Sequence, residues 1–110
     1  MRGAVVGSRG ACGIDIGKFL PDDCHEIVSG GAKGVDRVAA SYAVARGIKL
    51  TEFLPQYEKY GRAAPIVRNK EIVAYADMVL AFWDGCSPGT SFVIHYCEKA
   101  GKPCHIILLQ

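Results

Sequence analysis

No segment of this chain is apolar for long enough to cross a bilayer. The longest uninterrupted run, Met78 to Trp83, is far short of the ~20 residues that a spanning helix needs. The beginning, Met-Arg-Gly-Ala-Val-Val-Gly, lacks the apolar core and cleavage site of a secretory leader and reads as the first strand of the fold. Excess charge is missing too. The formal net charge is +2, without the basic stripe of a general nucleic-acid binder, so small anionic ligands, which a few local donors can hold, are the anions left to consider. The five cysteines, Cys12, Cys24, Cys86, Cys97 and Cys104, are odd in number and form no CxxC, so reduced thiols and a cytoplasmic setting are expected. His95, Cys97, Cys104 and His105 fit no common zinc spacing; neither a metal nor a cofactor is expected, and Cys97 reads as a helix core residue. There is no linker, repeat or low-complexity tract, and no nucleophile triad, paired-carboxylate motif or Walker sequence.

What the chain does have is regular punctuation. Its 110 residues make one domain, with enough apolar content for a small core. Residues 2–7, 25–29, 48–54, 77–83 and 103–109 read as strands. Residues 13–20 read as a short helix. Val35, Val38, Ala39, Tyr42 and Ala43 form an amphipathic stripe over 35–46 that stops at Gly47. Pro65 opens a helix that runs to about Ala76, and residues 90–100 form another, closed by Gly101. Strand–helix alternation repeated five times predicts a three-layer, Rossmann-like α/β fold: a doubly wound parallel sheet of about five strands, order 3-2-1-4-5.

That topology sends four unusual loops to one sheet edge: Gly7-Ser8-Arg9, Gly30 to Gly34, Tyr60 to Ala64, and Asp84 to Thr90. Ligands of such sheets bind at the carboxyl edge where strand order reverses, here between strands one and four. GGAKG opens a helix, so either a phosphate sits on its free N–H groups with Lys33 adding charge, or the glycines only make a tight turn; it matches neither GxGxxG nor a P-loop. Asp36 either favours the helix dipole or accepts from a ribose hydroxyl or a neighbouring loop. Arg9 is placed to clamp a phosphate, Ser8 to add a hydroxyl, and an exposed loop arginine is the plain alternative. Asn69 falls on the apolar stripe with Ile72, Val73 and Ala76 and needs a partner if buried; Arg68 is beside it, while Arg62 and Arg68 taken singly read as surface. Gly89-Thr90 either contacts a phosphate or caps a helix. Trp83 and Tyr60 lie near these loops as stacking surfaces or as rim. Asp84, Glu71 and Asp36 are the carboxylates nearest the edge, and His95 reads as packed or surface.

The stretches VVGSR, VSGGAKGVDRVAASYA, KYGRAAPIVRNKEIVAYADMVLAFWDG and SPGTSFVIHYCEKAGKP together resemble the YspA-like branch of the SLOG superfamily, which also contains the LOG phosphoribohydrolases and DNA-processing protein A. The resemblance spans nearly the whole chain. It implies a nucleotide or nucleotide-derived ligand, with Gly7, Ser8 and Arg9 in the first ligand loop. Gly30, Gly31, Gly34 and Asp36 match the second motif, Arg68 and Asn69 the arginine–asparagine pair, and Gly89 and Thr90 the phosphate turn. In LOG enzymes that turn reads PGGxGTxxE and its glutamate serves N-glycosidic cleavage; here Cys86 and Ser87 replace the glycine pair and Val93 the glutamate. Binding, as a sensor or processing module, is therefore the leading expectation. The alternatives are N-glycosidic hydrolysis of a nucleoside monophosphate, with Asp36, Glu71 or Asp84 supplying a carboxylate, and single-stranded DNA binding, which the weak charge disfavours. The resemblance also implies self-association through helices, hence a homodimer.

Overall fold

The computed structural model describes residues 1–8, 14–31 and 34–109. Its strands are β1 (Arg2–Gly7), β2 (Glu26–Ser29), β3 (Lys49–Glu52), β4 (Met78–Trp83) and β5 (Cys104–Leu108), and its helices α1 (Val35–Arg46), α2 (Tyr57–Tyr60), α3 (Ala64–Tyr75) and α4 (Pro88–Ala100). All strand pairs are parallel and the sheet order is β3-β2-β1-β4-β5, as the alternation predicts.

Side chains alternate across the sheet with period two. Ala4, Val6, Val28, Val79 and Ala81 face one way, against Ile72 and Val73 of α3 and Val93 and Cys97 of α4. Val5, Ile27, Leu80 and Phe82 face the other way, against Val35, Ala39 and Ala43 of α1 and Ile16 of a 3-10 turn. The central strands β1 and β4 are buried on both faces, which is why they read as continuous apolar runs. Gly47 and Gly101 close α1 and α4 in the left-handed conformation, φ +67° and +71°, so that Ile48 N–H reaches Ala43 C=O and Lys102 N–H reaches Cys97 C=O.

β2, β4 and β5 each begin one residue later than expected, and larger differences lie elsewhere. The first short helix is a 3-10 turn over Ile16–Lys18 within the described residues. β3 is shorter than 48–54, because its partner β2 offers only four residues to pair with and leaves the sheet at Gly30. α4 begins at Pro88, two residues before the sequence reading. The segment after β3, read as a loop at Tyr60–Ala64, coils into α2 and a 3-10 turn over Gly61–Ala63. Neither buries a residue, so no apolar period announces them.

At the amino edge of the sheet Glu26 is buried. Its Oε2 accepts from Thr51 Oγ1 and Tyr75 Oη, both at 2.6 Å, and Lys49 Nζ lies 3.8 Å from Oε1. The Arg2 guanidinium stacks 4.4 Å from the Tyr75 ring centroid, and Arg2 N–H donates to Asp77 Oδ2. This network, invisible in the short motif HEIVS, pins β2, β3 and α3 together far from the glycine loops.

Candidate functional site

At the carboxyl edge the sheet order reverses between β1 and β4, and a cleft of about 450 Å³ opens there. The end of β1 supplies Val6, Gly7 and Ser8, the end of β2 Gly30, and α1 supplies Asp36. Pro65, Arg68, Asn69 and Ile72 come from α3; Asp84 and Ser87 from the turn after β4; Pro88, Gly89, Thr90 and Val93 from α4. The structure thus brings together eight of the residues expected from sequence to bind a ligand, Gly7, Ser8, Gly30, Asp36, Arg68, Asn69, Gly89 and Thr90, and with them the candidate carboxylate Asp84. Gly31 and Gly34 do not line the cleft, and Arg9 and Lys33 lie outside the described residues. The floor of Val6, Ile72 and Val93 was not anticipated as a surface of the site, because a buried apolar side chain gives no signal separating floor from core.

The glycines divide by cause. A Cβ on Gly7 would stand 2.6 Å from Phe82 O and 2.6 Å from Val35 Cγ2, so this glycine lets the start of α1 lie against the end of β1. A Cβ on Gly30 would meet Arg68 Nη1 at 2.5 Å. Gly31 and Gly34 have φ +69° and +78°, a backbone region open to glycine. Gly89 is different: it has no positive φ, and an added Cβ would meet nothing within 4 Å. Among the described residues, no internal contact explains it, and Gly89 is one of the residues lining the cleft.

Arg68 is held rather than free. Its Nη1 donates to Gly30 C=O at 2.9 Å and its Nε to Asn69 Oδ1 at 2.9 Å, which fixes the guanidinium plane across the cleft wall. The second terminal nitrogen of Arg68, Nδ2 of Asn69 and the Thr90 hydroxyl make no hydrogen bond among the described residues. Gly89 and Thr90 sit in the first turn of α4, where backbone N–H groups lack intrahelical acceptors and the helix end is electropositive. Of the two alternatives for Thr90, the helix cap is ruled out: the cap position is Ser87, and Thr90 is already helical.

Ser87 does not cap with its side chain either. Asp84 Oδ1 accepts N–H bonds from Ser87 at 2.7 Å and Cys86 at 2.8 Å, and Ser87 Oγ lies 2.8 Å from Asp84 Oδ2 and 3.0 Å from Ser8 Oγ. An ionised carboxylate only accepts, so the Ser87 proton goes to Asp84 and the Ser8 proton serves the contact between hydroxyls; Ser8 Oγ in turn accepts Asp84 N–H at 3.2 Å. The Ser8 hydroxyl therefore ties the β1 loop to the β4 loop. The Ser87 and Cys86 N–H groups, with the Ser87 hydroxyl, hold the Asp84 carboxyl down at about 2. It is ionised at neutral pH and can donate no proton there. Asp84 and Ser87 three residues apart before a helix-opening proline is the turn signature that reveals this role in sequence.

The remaining candidates lie elsewhere. Trp83 Nε1 donates to Ser87 C=O at 3.1 Å and braces the turn. Tyr60, beneath Lys59, Arg62, Glu71 and the exposed His95 are not among the lining residues. Cys97 is fully buried and hydrogen-bonded to Cys104, which pushes its thiol well above the usual range. Cys24, Cys86, Cys97 and Cys104 are free thiols, and among the described residues no group of three or more His, Cys, Asp or Glu is arranged to hold a metal. No helix among them is long and apolar enough to cross a membrane.

Among the described residues, Asp84 as described, Glu26 by the Thr51 and Tyr75 hydroxyls, and Asp77 by the Arg2 N–H are carboxyls held below their ordinary values. Depressed folded values mean that the unfolded chain binds more protons in acid. Their stabilisation is thus complete above the ordinary carboxylate range and is lost as pH falls through the folded values. The urea midpoint is expected to fall steadily from pH 5 towards pH 2.5. Tyr75→Phe, which removes one donor to Glu26, should lower stability by about 1 kcal/mol at neutral pH and make the acid decline shallower. A parallel pair of pH series checks both.

A model of the YspA, cpYpsA-related SLOG family matches residues 21–60, which take in β2, the glycine turn, α1 and β3. The Gene 61 protein of Mycobacterium phage D29 is 36% identical over 96 residues, covering 76% of this chain and 77% of that protein. No solved structure matches the chain.

Proposed function

The chain belongs to the YspA, cpYpsA-related SLOG family, and from that premise we propose that its carboxyl-edge cleft binds a nucleotide or nucleotide-derived ligand without cutting it. The phosphate rests on the first turn of α4, taking the N–H groups of Gly89 and Thr90, the Thr90 hydroxyl and the outer nitrogen of Arg68. The sugar or base lies on the apolar floor of Val6, Ile72 and Val93, with the Asn69 amide at its polar edge. A cleft of about 450 Å³ falls within the range of small-ligand sites.

The observation that carries this reading is Gly89. A glycine in a helix costs about 0.5–1 kcal/mol relative to alanine, and this one has no compensating internal contact. Close approach by a ligand supplies the reason. Two features support binding over cleavage. Val93, where the LOG pattern has glutamate, lines the cleft with a side chain that neither moves a proton nor stabilises positive charge. Asp84, the carboxylate beside the phosphate position, is tied up by its own turn.

Gly89→Ala tests the reading because its two effects have opposite sign. The free protein should become more stable by about 0.5–1 kcal/mol while affinity for a nucleoside monophosphate falls at least ~10-fold. Thermal melts with and without AMP, GMP, CMP or UMP measure both. A variant stabilised to the same degree in ligand as in buffer, with wild-type affinity, would place the phosphate elsewhere. Incubation of the wild type with AMP should release no adenine.

A further inference from the structure

The sheet has two edges and they are not alike. β3 carries Lys49 and Glu52, charged side chains of the kind that discourage strand addition. β5, Cys104 to Leu108, carries no Lys, Arg, Asp or Glu and no internal proline. It pairs with β4 on one side and with no described residue on the other. The direction of its backbone follows from two bonds: Val79 N–H goes to Pro103 C=O, and Leu109 N–H goes to Trp83 C=O. Successive residues of a strand turn their N–H and C=O groups to opposite sides, so the odd-numbered residues serve β4. Cys104, Ile106 and Leu108 therefore present a donor and an acceptor each to the open side. Those three side chains also share one face, since Ile106 stands beside Ala81 and Leu108 beside Trp83. Ile106 is 43% and Leu108 66% exposed, a large apolar exposure for a strand.

We propose that β5 is the self-association surface of this protein, two copies pairing their β5 strands antiparallel about a two-fold axis into one continuous sheet. The proposal is independent of what the cleft binds. A second copy fits this edge because a residue close to a two-fold axis meets itself. A charged strand would there oppose like charges, whereas Ile106 meets Ile106 and Leu108 meets Cys104. The arrangement satisfies the outward backbone groups of all three residues and covers the two exposed apolar side chains. It also differs from helix-mediated pairing, which would use the outer face of α3, where Ile66 is exposed.

The untagged protein at about 100 µM should run in multi-angle light scattering at twice its 11.8 kDa and dissociate on dilution. Ile106→Pro removes an N–H that the single copy does not use and should give a folded monomer, with a far-ultraviolet spectrum like the wild type. Ile106→Lys should do the same by charge, and carries the test if the proline variant fails to fold. Ile66→Lys should remain dimeric. Amide hydrogen exchange adds a direct readout: the Ile106 N–H is slow in the dimer and becomes fast on dilution. A wild type that is monomeric at this concentration overturns the proposal. So does a dimer that survives Ile106→Lys, or one that Ile66→Lys breaks.

Discussion

Arg68→Ala is expected to weaken nucleoside monophosphate binding by about 100-fold, about 2.7 kcal/mol, while lowering stability by no more than about 1 kcal/mol. The size of the effect follows from how the side chain is held. Two of its nitrogens are committed to Gly30 C=O and Asn69 Oδ1, each at 2.9 Å, so the guanidinium is already ordered and little rotamer entropy is lost when a phosphate arrives. Gly30 permits this placement, since any side chain there would collide with the guanidinium. The bond a phosphate accepts from the outer nitrogen is charge-assisted, the stronger class. Arg68→Lys should restore little. An ammonium on a flexible stem cannot hold Gly30, Asn69 and a phosphate at once. Calorimetric titration of both variants with the tightest-binding monophosphate, beside their thermal melts, checks the pair. If Arg68→Lys binds like the wild type, the planar fork is irrelevant and the account of this wall is wrong.

Gly7→Ala is expected to have the largest effect on the fold: a loss of about 2–3 kcal/mol, or roughly 10–20 °C in melting temperature. The new Cβ would be 2.6 Å from Phe82 O, a backbone atom within the β1–β4 pairing, and 2.6 Å from Val35, which is fully buried. Neither neighbour has room to give. Relief would have to come from lifting the start of α1 off β1, which would also widen the cleft between Ser8 and Asp36. The contrast with Gly89→Ala is sharp: the same substitution at two glycines lining one cleft, one destabilising and one stabilising. Urea unfolding of the two variants side by side decides it, and equal costs would contradict the separation of packing from ligand approach.

That contrast also shows where the sequence stops being legible. Strand order followed from alternation and crossover handedness, and the order alone sent the glycine loops to one edge. The cleft's location was therefore readable before any side chain was placed. The reasons for individual residues were not. Gly7 and Gly89 look equivalent in sequence, because the contacts that distinguish them come from Phe82 and Val35, far along the chain. Arg62 and Arg68 were equally plausible surface arginines; only the packing of α3 over Gly30 puts one in the cleft and leaves the other on an exposed 3-10 turn. Ser8 looked like a ligand hydroxyl, and its engagement with Asp84 and Ser87 spans 76 and 79 residues. Local motifs marked which segments converge; long-range contacts decided what each residue does once there.

Calorimetric titration of the wild-type protein with each nucleoside monophosphate and its unphosphorylated nucleoside tests the central claim most directly. At least one monophosphate should saturate a single site per chain, with its nucleoside binding at least ~10-fold more weakly, because the first turn of α4 and Arg68 act on the phosphate. Absence of saturable heat from all of them, or a nucleoside that binds as tightly as its monophosphate, would contradict it.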